Sequence, residues 1–266
     1  MIEKNIESER GKVYYWTSNK EATTIFFLHG ITGNHKLFEQ QIESFKEEYN
    51  VIVWDSPCHG KSRPYEQFTY SNVAADMKKI LDTEGIREVI LVGQSLGGMI
   101  AQFFISCYPD LVKGFVAIDS APFGNYYSKS DLFWLRQLEW MSKMFPDKML
   151  RKSMAKACGT TEYAQNKMSE MLSDYNKQEL CHLLYVGEAA FIPENKEIDI
   201  SCPVILILGE KDKVGKVCSY NKKWTERTGY ELCIIKGAGH NSNEDCPDEV
   251  NEIIENFISS ILANTN

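Results

Sequence analysis

The chain has 266 residues, 43% apolar and 25% charged, with a formal charge of −8 and a pI near 5.3. That make-up suits a soluble globular chain long enough to bury a core without staples. The acid excess argues against nucleic acid as a partner, because phosphate binding needs clustered Lys and Arg.

The first ten residues carry both charge signs and no apolar stretch, so no signal peptide is expected. No run approaches the ~18 apolar residues of a membrane span. Together these point to a cytoplasmic protein with no membrane partner. The eight cysteines form neither a CxxC pair nor a zinc spacing and are expected to be reduced thiols.

In chain order, residues 2–8 and 12–16, split by Glu9-Arg10-Gly11, suit an antiparallel edge hairpin. The runs 24–28, 51–54, 89–92, 115–118, 204–208 and 232–235 are apolar throughout. Such runs fit strands of a parallel sheet covered on both faces. Helical spacing of apolar residues predicts helices over 36–49, 71–83, 96–108 and 248–262; in the second, Val73, Met77, Ile80 and Leu81 make the stripe. Strand and helix alternate, so the class is α/β with right-handed crossovers.

Residues 122–198 break the alternation. They hold no convincing strand, and helices are predicted near 131–144, 147–156, 162–172 and 177–190. This reads as a helical lid inserted into a core made of 1–121 and 199–266. Six of the nine methionines lie in it. Most of its apolar side chains are expected to fill its own core. A few should line a substrate cavity, with Phe123, Trp134 and Met141, together with Gly30, as candidates.

Gly93-Gln94-Ser95-Leu96-Gly97 follows one predicted strand and opens a predicted helix. In that context G-x-S-x-G is a sharp turn that lifts the serine above the sheet at a helix N-terminus, where negative charge is favoured. A serine nucleophile needs a base, and the base needs an orienting acid. Of five histidines, His240 lies just past the last predicted strand and is the expected base. His29 and His59 suit structural hydrogen bonds, and His35 and His182 suit ordinary surface or core positions. For the acid, Asp212 follows the strand 204–208, and Asp119 and Glu210 are rivals. The backbone N–H groups of Ile31 and Leu96 are the expected oxyanion donors.

These motifs together resemble the α/β-hydrolase superfamily, in its small members with a helical lid. The resemblance spans nearly the whole chain: His29-Gly30, the segment Asp55-x-x-x-His59-Gly60-x-Ser62, the elbow, the Asp212 loop and Gly239-His240. Where that segment usually has a glycine before its histidine, this chain has Cys58. The resemblance implies an eight-stranded, mostly parallel sheet, a lid after the sixth strand, no metal and no cofactor.

It also implies a range of activities: esterase, thioesterase, lactonase, C–C hydrolase. Epoxide hydrolases and dehalogenases of this fold carry aspartate at the elbow, so serine counts against both. The expected function is hydrolysis of a carboxylic ester, or a related acyl bond, of a small, partly hydrophobic substrate. A ligand-binding protein on the same fold is the alternative from another class. A C–C hydrolase would want a carboxylate grip, for which Arg136 and Arg151 are candidates.

Overall fold

The computed structural model describes residues 1–263. The first two strands, β1 (Ile2–Ser8) and β2 (Gly11–Thr17), form the antiparallel edge hairpin, with Ile6 opposite Val13. Then come β3 (Thr24–Leu28), α1 (Glu39–Phe45), β4 (Asn50–Trp54), α2 (Tyr70–Thr83), β5 (Val89–Gln94), α3 (Leu96–Cys107) and β6 (Val112–Ile118). Five helices follow: α4 (Lys129–Leu135), α5 (Leu138–Lys143), α6 (Asp147–Cys158), α7 (Glu162–Ser173) and α8 (Lys177–Glu188). The chain closes with β7 (Val204–Gly209), α9 (Val217–Thr228), β8 (Glu231–Ile235), α10 (Ser242–Asp245) and α11 (Pro247–Ala263).

The eight strands make one sheet in the order β1-β2-β4-β3-β5-β6-β7-β8. β1 and β2 are antiparallel to their neighbours, and the rest run parallel. Every residue of β3, β4 and β5 is buried, as a sheet covered on both faces requires. Successive side chains point to opposite faces. Ile25, Phe27, Val51, Val53, Ile90 and Val92 therefore pack with Phe45 of α1 and Ile254 and Ile258 of α11. Phe26, Leu28, Ile52, Trp54 and Leu91 pack with Met77 of α2, Phe104 of α3 and Trp224 of α9.

Parallel strands put all their C-terminal ends on one side of the sheet, where loops from several of them converge. Here β3, β5, β6, β7 and β8 deliver His29-Gly30-Ile31, Ser95, Asp119, Asp212 and His240 to that side. Helices α4 to α8 lie between β6 and β7 in the chain, α5 against α8 and α6 against α7. Among the described residues no helix is long and apolar enough to cross a membrane.

Two expectations differ in detail, and helix α9 was not expected. The helix expected over 36–49 opens as a 3-10 turn, His35–Phe38, because the Asn34 side chain accepts from Lys36 N–H, and its α part ends at Phe45. The helix expected over 131–144 is two helices, parted where Gln137 N–H bonds back to Trp134 O. Helix α9 had no prediction: it buries only Tyr220, Asn221 and Trp224, too narrow a stripe on a polar segment to show a helical period.

Candidate active site

The site begins with a strained residue. Ser95 has φ 50° and ψ −116°, in the region that favours glycine. Such a conformation costs on the order of 1–3 kcal/mol and persists only when its surroundings over-determine it. Those surroundings are visible. Ser95 N–H donates to Ile118 O at 2.9 Å, and its carbonyl accepts from Gly98 N–H at 3.0 Å and from Ser120 Oγ at 2.7 Å.

The flanking glycines are a packing requirement. A Cβ on Gly97 would stand 1.9 Å from Leu28 O, and one on Gly93 would stand 2.5 Å from Gly97 C. Strands β3 and β5 and helix α3 thus meet backbone to backbone. Ser95 itself stays partly exposed at the start of α3.

His240 Nε2 lies 3.0 Å from Ser95 Oγ, and His240 Nδ1 lies 2.8 Å from Asp212 Oδ2. With Nδ1–H donating to the carboxylate, Nε2 is left as the acceptor for the serine hydroxyl. The other oxygen of Asp212 accepts from Val214 N–H at 2.8 Å, which fixes the carboxylate plane. His240 is almost fully buried. Burial disfavours the imidazolium, but the charge and hydrogen bond of Asp212 outweigh it, so its pKa lies above 6.5. Gln94 Nε2 donates to His240 O at 2.9 Å and ties the histidine loop to the elbow.

Asp119 does not touch the imidazole. Its carboxylate accepts from Gly209 N–H at 2.6 Å and from Ser242 N–H and Oγ–H at 3.0 and 2.6 Å. Burial pushes it up to about 7, Asp212 adds to the rise, and His240 and these donors oppose it. Glu210 accepts from Gly237 N–H at the surface. Asp212 alone of the three expected acids meets His240.

The loop after β3 lies on the elbow: a Cβ on Gly30 would stand 2.0 Å from Gln94 Oε1 and 3.1 Å from Ser95 Cβ. Among the described residues neither Ile31 N–H nor Leu96 N–H donates to a protein acceptor. Leu96 is the first residue of α3, so its N–H has no helical partner. Gly30, Ile31, Ser95 and His240 share a void of about 10 Å³ with Cys158 and Met168 of the insertion. The insertion therefore lines the same void as the serine, and Cys158 O accepts from Asn241 N–H at 2.6 Å.

His29 and His59 are structural. His29 Nε2 accepts from Ser56 N–H at 2.9 Å, His59 Nδ1 bonds Pro57 O at 2.9 Å, and burial pushes the two rings down to about 4 and about 3. His35 pairs with Asp55 at 2.7 Å. Cys58 has φ 70°, which explains why a glycine suits that position. All eight cysteines are free.

A cavity of about 350 Å³ adjoins the site. Met99, one turn beyond Ser95, lines it, as do Gly187 and Val214, which contact Ile31 and Asp212. Of the expected pocket residues, Trp134 lines it and Gly30 lines the small void at Ser95. Phe123 does not. It packs in the core against Tyr70, Phe103 and Phe191, with ring centroids 5.2–5.8 Å apart. Met141 lies instead in an outer apolar groove with Trp140, Met144 and Phe145. Arg151 is engaged within the insertion by Asp147, Leu172 O and Tyr175 O, so it grips nothing in the cavity. Sequence reasoning missed Gln94 and Glu188. Gln94 had one signal, a polar residue closing an apolar strand; Glu188 had none.

A family model for the alpha/beta hydrolase fold matches residues 23–154. A 2-(acetamidomethylene)succinate hydrolase of Mesorhizobium japonicum is 24% identical over 249 residues, 89% of this chain and 88% of that one. Epoxide hydrolase 4 of Homo sapiens is 24% identical over 264 residues, 88% of this chain and 72% of that one. The crystal structure of a hydrolase from Pseudomonas aeruginosa superposes with a TM-score of 0.80 at 17% identity, covering 96% of this chain and 98% of that one. With the strand order, the elbow and these likenesses in hand, the chain belongs to the α/β-hydrolase superfamily.

Proposed function

We propose that the protein is a serine hydrolase that cleaves a carboxylic ester, or a related acyl bond, through an acyl-enzyme. The observation that carries this reading is the unbroken chain Ser95 Oγ, His240 Nε2, His240 Nδ1, Asp212 Oδ2, at 3.0 and 2.8 Å. In the first half-reaction His240 Nε2 takes the Ser95 proton as Oγ bonds to the carbonyl carbon. The carbonyl oxygen becomes an oxyanion, held by Ile31 and Leu96 N–H. Its collapse breaks the bond to the leaving oxygen, which takes the proton from His240. Water then gives a proton to Nε2 and adds to the acyl carbon. The second collapse returns that proton to Ser95 Oγ and frees the acid. Asp212 keeps Nε2 as the acceptor and stabilises the imidazolium.

The relatives' names span several hydrolase chemistries, and serine rather than aspartate at the elbow supports the acyl-transferring ones. A serine ester is cleaved at its carbonyl carbon by water, and that suits acyl substrates. Residues 122–198 act as the lid domain of this catalytic core, since Cys158, Met168 and Gly187 close over the Ser95 side.

A neutral fluorophosphonate followed by peptide mass mapping tests the assignment. Ser95 should carry the adduct, and Ser95→Ala should lose turnover of a short p-nitrophenyl ester. Labelling elsewhere, or undiminished turnover, would overturn it.

A further inference from the structure

The cavity beside the triad has an unusual lining. Tyr127, Trp134, Phe191 and Tyr220 face it, and the Tyr127 ring stands 4.9 Å from Phe191 and 4.7 Å from Tyr220. Its volume of about 350 Å³ suits a small ligand group. Three charged residues also line it: Asp131, Glu188 and Lys216. Two of these cancel, because Lys216 Nζ lies 2.6 Å from Asp131 Oδ1. Glu188 has no such partner. Among the described residues its carboxylate accepts no hydrogen bond and forms no ion pair.

Apart from His240, the local surroundings work against that carboxylate. Glu188 ends α8, where the free carbonyls of the helix make the negative pole. Glu188 is half-buried where it lines the cavity, and burial raises its pKa, with His240 opposing the rise and Asp212 adding to it. The tyrosines around it are committed elsewhere: Tyr127 Oη donates to Pro122 O at 2.8 Å, and Tyr70 Oη to Met99 Sδ at 3.9 Å. Nor is the residue loosely placed. A Cβ on the preceding Gly187 would stand 2.3 Å from Ile31 Cδ1, so the end of α8 is pressed onto the loop over Ser95. An unpaired acid held this firmly at a helix C-terminus breaks local rules, and such breaches concentrate at functional sites.

Building on the assignment of Ser95 as nucleophile, we propose that this cavity receives an ammonium group on the non-reacting part of the substrate, with Glu188 as its counter-charge and the aromatic rings against its faces. A desolvated cation is stabilised by ring faces as well as by a carboxylate, and this lining supplies both. The substrate class is then a cationic acyl compound, such as an amino-alcohol ester, rather than a purely apolar ester.

Binding and turnover test this separately. Calorimetric titration of the Ser95→Ala protein with ethanolamine, N-methylethanolamine and choline, each against a neutral isostere such as 3,3-dimethylbutan-1-ol, reads the cavity without chemistry. At least one cation should bind about 10-fold tighter than its isostere or better, and Glu188→Gln in the same background should erase the difference. In the protein with Ser95 intact, kcat/KM for the butyryl ester of that alcohol should exceed that of the neutral ester by a similar factor, and Glu188→Gln should collapse the ratio. The inference is overturned if no cation outbinds its isostere, or if Glu188→Gln leaves the preference unchanged. Should the fluorophosphonate fail to label Ser95 while the binding difference stands, the catalytic reading alone has failed.

Discussion

The strand-end side of the sheet and the helical insertion are built on opposite plans. At the strand ends the key polar groups are partnered: Ser95 by His240, His240 by Asp212, Asp212 by Val214, and Asp119 by three donors. The insertion instead leaves large apolar side chains in the open, with Trp134, Trp140 and Met144 exposed at 56%, 62% and 71%. It holds an unpartnered carboxylate at Glu188 and leaves space between its helices and the core. The contrast teaches a division of labour. On the proposed function, reaction geometry is over-determined by backbone contacts that tolerate no Cβ, and selectivity falls to side chains that can be exchanged without disturbing the sheet.

Substitutions at the strand ends should break that contrast most sharply. Ser95→Ala removes the nucleophile and should lower kcat by about 10⁴–10⁶-fold, with circular dichroism unchanged. Asp212→Asn removes the carboxylate that orients His240 and should lower kcat by about 10³–10⁴-fold. Asp119→Asn makes the sharper comparison, since it turns one oxygen of a carboxylate that accepts three bonds, and does not touch the imidazole, into an NH2 donor. It should destabilise by about 1–3 kcal/mol in denaturant unfolding while costing far less in kcat than Asp212→Asn. Equal losses in kcat would place Asp119 in the acid's role.

The pH profile comes next in size. His240 must be neutral to accept the serine proton, so kcat/KM should fall as pH drops through its pKa. Burial lowers that pKa and Asp212 more than restores it, so the midpoint should lie above 6.5. Replacing Asp212 by Asn should move the residual activity's midpoint down, leaving burial unopposed.

The smallest effect concerns the seam between the two regions. Asp245 accepts from Gly239 N–H of the histidine loop and from Thr160 and Thr161 N–H of the insertion. Burial raises its pKa, but these donors win and hold it below the usual carboxylate range. Because the folded pKa is depressed, this stabilisation is present above the unfolded value near 4 and is lost as pH falls through the folded one. Asp245→Asn should therefore cost about 1 kcal/mol near neutrality and flatten the stability loss below pH 4.

Legibility followed the same division. The strands were readable because burial on both faces writes itself as a continuous apolar run, as in Ile25–Leu28. The meeting of Ser95, Asp212 and His240 was readable because parallel strands send their C-terminal loops to one side, and the elbow motif and places in the chain marked those three. Asp212 was the expected acid and Asp119 its rival, and the hydrogen-bond partners separate them: Asp212 meets His240, whereas Asp119 meets Gly209 and Ser242. The pocket was least legible. Phe123 and Met141 have the composition of pocket residues, yet which face a side chain presents depends on packing between segments far apart in sequence. Glu188 carried no sequence signal at all, because its meaning lies in the partners it lacks.

Gln94 deserves a last inference about heat. Through its side chain the strand that leads into Ser95 also holds the loop that carries His240, across 146 positions of chain. The proposed nucleophile and base are thus parts of one mechanical body rather than two that meet. Gradual warming should leave their spacing intact until the sheet itself gives way, so the curve of lost activity should overlay the curve of unfolding.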